Sequence, residues 1–191
     1  MEIRILRMTE IYLTDEELKE IEDALHKAEY DGKLDVEKHS SFFLGFVGEK
    51  LMEKFLGIKF CDMSFDDDKS KYYGCDCKKL NIGIKTVRST REPYIYCNYS
   101  DILHKQFIAN ITYDYEIHNW KLVDVSVPQY IVRISDEYCG KGREKYLIKK
   151  GIPVTKDNIN DILNCKYLTM AIYKNVLDLD KNPIIDFVTL E

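Results

Sequence analysis

The sequence is poor in the residues that interrupt or staple a chain. Four prolines and nine glycines among 191 residues leave no material for collagen-like or low-complexity tracts, and no internal repeat is visible. Six cysteines (Cys61, Cys75, Cys77, Cys97, Cys139 and Cys165) are scattered without a CxxC pair. That spacing favours reduced, mostly buried thiols over a zinc or iron–sulfur site. No apolar run reaches 18 residues, so no membrane span is expected. The opening MEIRILRMTEIYLTDEE turns acidic where a secretory leader needs an apolar stretch, which predicts a cytoplasmic protein. Also missing are a Walker loop, a GxGxxG turn and a nucleophile elbow. The four histidines, His26, His39, His104 and His118, show no metal-ligand spacing and read as surface or packing residues.

What is present is the composition of a globular domain, 45% hydrophobic and 32% charged. The length suits a single domain with a sizeable core. We divide it into an N-terminal helical part, residues 1–57, a sheet core, 58–135, and a C-terminal elaboration, 136–191. Net charge is −5, which argues against wholesale electrostatic capture of nucleic acid. The charge is unevenly spread. Between Lys69 and Arg91 stand seven basic residues and one acid, Asp76. A second basic cluster, GKGREKYLIKK, spans residues 140–150 and reads as a solvated face.

Residues 14–29 carry a helical signature. Thr14 and Glu17 make a capping box, and Leu18, Ile21 and Leu25 fall on one stripe. A second helix is predicted from Ser40 or Ser41 to Leu56, stopped by Gly57. Phe43, Val47, Leu51 and Phe55 recur every four residues along it. Gly45 and Gly48 each cost about 1 kcal/mol inside a helix, which implies close approach by another element. Strands are predicted at 58–65, 72–80 and 81–87, the last two joined by a tight turn around residues 78–81. Residues 94–98 read as extended, and Ser100 as the cap of a short helix through Gln106. Further strands follow at 107–115, 120–127 and 130–134, with Pro128 as an interruption. Val123, Val125 and Val127 alternate along the second of these. A helix at 158–163 and a strand at 167–173 complete the prediction. The fold class is α/β, a mixed central β-sheet flanked by helices.

One group of residues carries chemistry. Magnesium-assisted phosphodiester hydrolysis needs one or two carboxylates for the cation and a lysine beside the attacked phosphate. Glu49 stands mid-helix next to Gly48, Asp76 lies in YYGCDC, and Lys85 lies in IGIKTVRS. Asp76 and Lys85 fall on strands paired through the predicted turn.

In this order (Gly-Glu on a helix, then Gly-x-Asp, then x-x-Lys-Thr-x-Arg), residues 42–91 resemble the PD-(D/E)xK nuclease superfamily. The resemblance implies a restriction endonuclease-like core that cleaves DNA with magnesium or manganese, and it leaves a homodimer open. It implies Glu49 and Asp76 as metal ligands and Lys85 as the catalytic lysine. Lys78, Lys79, Thr86, Arg88 and Arg91 would lie toward the DNA backbone. One position departs from the family: Gly83 stands where the acid of the Asp/Glu-x-Lys element belongs. Three readings follow. Another carboxylate, Glu49, Glu53 or one of Asp66 to Asp68, fills the place. Alternatively, Asp76-Cys77-Lys78 is the true Asp-x-Lys element. In the third, the fold is kept as an inactive DNA-binding or protein-binding, inhibitor-like module.

Overall fold

The computed structural model describes residues 11–65, 76–90, 94–98, 105–134, 145–155 and 157–164. Helix α1 spans Asp15–Tyr30 and opens on the capping box expected of it. The Thr14 hydroxyl accepts from the Glu17 N–H at 3.2 Å, and the Glu17 carboxylate accepts from the Thr14 N–H at 2.8 Å. A short 3-10 turn at Val36–Lys38 leads into helix α2, His39–Leu56, which begins one or two residues earlier than predicted. Gly57 ends α2 with a left-handed φ of 67°, where a side chain would be strained.

Five strands form one mixed sheet: β1 (Ile82–Arg88), β2 (Tyr94–Asn98), β3 (Lys105–Asp114), β4 (Asn119–Ile134) and β5 (Lys145–Pro153). Their order is β1-β3-β4-β5-β2, with β1 and β3 parallel and the β3–β4, β4–β5 and β5–β2 pairs antiparallel. Helix α3 (Ile159–Asn164) buries Ile159 and Ile162. Among the described residues no helix is long and apolar enough to cross a membrane. The mixed α/β class predicted above is therefore observed.

The core lies between α1, α2 and one face of the sheet. Val47, Leu51 and Phe55 of the predicted α2 stripe are at most 1% exposed. They pack in the cluster that holds Ile82, Ile84, Phe107, Ala109, Ile111 and Val125. Each such side chain contributes about 1.5–3 kcal/mol by leaving water. The helices are also braced by charge. Lys54 Nζ lies 2.6 Å from Glu17 and donates to the Tyr12 carbonyl at 2.7 Å, and Lys50 Nζ donates to Glu20 at 3.1 Å.

Several predicted elements differ from those observed. No strand forms at 58–65. The Glu53 carboxylate instead accepts from the Phe60 and Cys61 N–H groups, folding the chain back on α2, and Phe65 stacks near Phe42 and Phe46. Lys105 and Gln106 belong to β3, not to the predicted short helix. Pro128 does not divide a strand: β4 runs through it, with its pairing to β5 shifted on either side. Val123 is not in phase with Val125 and Val127. The β3–β4 register slips between Asn110 and Ile111, leaving Val123 as the extra residue of a bulge, 39% exposed, while Leu122 and Val125 are buried. The strand predicted at 167–173 lies outside the described residues.

Candidate functional site

The site is assembled around β1, which is an edge strand of the sheet among the described residues. Ahead of it, residues 78–81 turn tightly, with the Leu80 and Asn81 N–H groups donating to the Cys77 and Lys78 carbonyls. Asn81 takes a positive φ of 54°. Cys77 and Ile82 then exchange both backbone hydrogen bonds, at 3.0 and 3.3 Å. Among the described residues the predicted hairpin is represented by this one bridge, with Asp76 just before it; residues 72–75 of the predicted first strand lie outside them. The Asp76 carboxylate continues the pairing in place of a backbone carbonyl: it accepts from the Ile84 N–H on the outer edge of β1. Cys77 is buried and Asp76 exposed, as alternation predicted.

Helix α2 reaches the same edge because residue 48 is glycine. A Cβ at Gly48 would lie 1.8 Å from the Thr86 hydroxyl oxygen, so helix backbone and strand side chain are in direct contact. Thr86, expected toward a phosphate path, is placed against the helix. The next residue, Glu49, is half-buried. Burial first, and then the negative charge of Asp76, push its carboxyl up to about 8, with Glu53 and Asp62 adding to the rise. The Cys61 thiol opposes this with a hydrogen bond to Glu49, while burial pushes that thiol itself upward. Glu49 and Asp76, predicted from separate elements, therefore lie close enough for the charge of one to act on the other.

The other expected residues are distributed as follows. Ile82, Ile84 and Thr86 face α2, so alternation places Gly83 and Lys85 on the opposite face of β1. Lys85 is partly exposed, paired in register with Ile108. A Cβ at Gly83 would lie 2.6 Å from the Gln106 amide nitrogen and 2.7 Å from its oxygen. The space of the missing acid is thus filled by a carboxamide from the neighbouring strand, where Gly83 and Gln106 are register partners. Lys78 and Lys79 are exposed on the turn beside Asp76. Because Lys78 is in a turn, Asp76-Cys77-Lys78 is not carried on a strand. Arg88 is exposed, its guanidinium 5.6 Å from the centre of the Trp120 ring. Arg91 and Asp66 to Asp68 lie outside the described residues. Glu53 is 5% exposed and has one oxygen committed to two backbone N–H groups, which makes it a support for the chain after α2.

Sequence reasoning missed Cys61, Asp62 and Gln106. The first two follow α2 by a few residues, and only the reversal at Gly57 returns them to Glu49. Gln106 did carry a signal, a polar pair Lys105-Gln106 ahead of the apolar run Phe107-Ile108-Ala109. Comparison of the chain with protein-family models, curated proteins and solved structures gives no match.

Proposed function

We propose that the chain is a metal-dependent deoxyribonuclease with a restriction endonuclease-like core, cleaving DNA phosphodiesters with magnesium or manganese. The observation that carries this reading is Asp76 held on the outer edge of β1 by the Ile84 N–H, with its charge acting on the Glu49 carboxyl of the helix packed beside that strand. Two carboxylates completed by water and substrate oxygens are the usual protein contribution to a magnesium site. These residues fit that requirement: a cation would offset the burial of the Glu49 charge, the main cause of its rise, and the repulsion from Asp76 that adds to it. When bound, it supplies an acidified water and neutralises charge on the phosphate. Lys85 follows the residue whose N–H holds Asp76 but stands on the face of β1 turned away from α2, so as the proposed phosphate-orienting cation it would have to reach the substrate around that edge. Lys78 and Lys79 add positive charge for the DNA backbone without reading its sequence. A cytoplasmic location belongs to the same proposal.

A second reading, the inactive DNA-binding or protein-binding module, is favoured by one specific observation. Gly83 offers no ligand, and Gln106 occupies its side-chain space. One set of assays separates the two. Wild type is incubated with single- and double-stranded DNA and with RNA, in magnesium and in manganese. Metal-dependent cleavage lost in Glu49→Ala, Asp76→Ala and Lys85→Ala is expected. Binding that depends on Lys78 and Lys79, with no cleavage of any substrate, would establish the inactive module instead.

A further inference from the structure

Away from this site, the end of α1 and the start of α2 bring together four side chains that sequence spacing did not connect. Glu22, His26 and Glu29 stand at i, i+4 and i+7 on α1, so they share one helix face. His39 is the first residue of α2 and is set against that face. Its Nδ1 lies 2.6 Å from Glu29 and its Nε2 3.2 Å from Glu22. The two nitrogens of His26 lie 3.4 Å from Glu29 and 3.8 Å from Glu22. The two imidazole rings are 5.3 Å apart between centres.

We infer that His26, Glu29 and His39 form a binding site for a divalent transition metal of the zinc class, with Glu22 holding a ring N–H or completing the ligand set. One ligand atom from each of the three residues lies within 4.8 Å of the other two. Ligands in a tetrahedron with bonds near 2.0–2.1 Å are about 3.4 Å apart, so closure needs a shift of roughly an ångström. His26, 67% exposed at its side chain, can make that shift, whereas His39 and Glu29, 23% and 17% exposed, are 2.6 Å apart in a hydrogen bond and would have to separate by about 0.8 Å to hold the other two corners. The donor set selects the metal. Two imidazole nitrogens and a carboxylate suit zinc, nickel or copper, whereas magnesium and calcium take oxygen ligands. Glu22 has the place of the carboxylates that commonly orient a metal-bound imidazole through its second nitrogen.

The site is independent of the proposed nuclease centre. Glu49 lies ten residues beyond His39 on the same helix, about 15 Å along its axis. A bound metal would join the end of α1 to the start of α2 across the connection at 31–38.

The test is titration of the full chain, under reducing conditions, with zinc by calorimetry and with cobalt(II) by absorption spectroscopy. Wild type is expected to bind one equivalent of each. The cobalt spectrum should show ligand-field bands of a nitrogen–oxygen site and no thiolate charge-transfer band. His26→Ala and His39→Ala should each weaken binding by about tenfold or more. His26→Ala, being at an exposed position, should fold as wild type does without metal. Asp76→Asn should leave zinc affinity at this site unchanged, so that failure of the nuclease reading does not affect the result. Absence of zinc binding, equal affinity in His26→Ala and wild type, or a thiolate band would each overturn the proposal.

Discussion

At the scale of single residues, the contact between Gly48 and Thr86 decides how closely α2 approaches the sheet. Two effects of opposite sign act on Gly48→Ala. Alanine is the better helix former by about 1 kcal/mol. Against this, the new Cβ would overlap three Thr86 side-chain atoms, the nearest at 1.8 Å. The overlap dominates, and a net loss of about 1–3 kcal/mol is expected in urea denaturation. Because the obstructing atoms all belong to one side chain, the loss should shrink or reverse in a Thr86→Gly background; equal losses in both backgrounds would refute the steric account. Glu17 gives a prediction in pH. Burial raises its carboxyl, but hydrogen bonds from Lys54 and Thr14 outweigh that and hold it below its ordinary 4.5. A carboxyl depressed in the folded state stabilises fully above its unfolded value and loses that contribution as pH falls through the folded one. Glu17→Gln should therefore cost about 1 kcal/mol at pH 7 and progressively less below pH 4, as measured by thermal melts at both pH values.

At the scale of elements, legibility in the sequence tracked how local the determining contacts are. Helix α1 was readable because Thr14 and Glu17 cap each other three residues apart. Helix α2 was readable because Val47, Leu51 and Phe55 repeat at its period, and because Gly48 signalled a close neighbour; Gly45 gave the same signal wrongly, since a Cβ there would meet nothing within 4 Å. The segment after it was not. Its apolar residues resemble a strand, but its N–H groups are claimed by Glu53, a partner seven and eight residues back on a helix. The phase of β4 was equally hidden, since the bulge at Val123 exists only in the pairing with β3. In the candidate site, Glu49 and Asp76 could be named from sequence, whereas the Gln106 amide beside Gly83 required the parallel β1–β3 register. Glu53 makes this testable. Glu53→Ala would leave two backbone donors without their acceptor and should destabilise by about 2–4 kcal/mol in denaturant unfolding. Glu53→Gln keeps an acceptor oxygen and should recover most of the loss; similar costs for both variants would show that the carboxylate charge, not the capping of residues 60 and 61, is what matters.

At the scale of the whole molecule, a net charge of −5 has to be reconciled with the polyanionic substrate proposed for the chain. Asp76 and the two exposed turn lysines, Lys78 and Lys79, stand within four residues of one another, so acid for a cation and base for phosphates occur side by side. Each lysine that meets a phosphate releases condensed counterion, and removing one should lower the slope of log affinity against log salt by about 0.9. Lys78→Ala and Lys79→Ala are expected to weaken DNA binding uniformly across sequences, and an unchanged slope would remove the turn from the DNA interface. The cation itself can be followed without substrate. A ligand that binds only the folded chain stabilises it by about 2.7 kcal/mol at one hundred times its dissociation constant. For a domain of this size that corresponds to a rise in thermal midpoint of roughly 5–10 °C. Magnesium is the informative ion, because the histidine cluster between α1 and α2 offers it a poor donor set. Saturating magnesium should raise the midpoint of wild type and of His39→Ala alike. Asp76→Asn should abolish the rise, because Glu49 alone would then face the cation; a magnesium effect that survives this variant would place the ion away from the edge of β1.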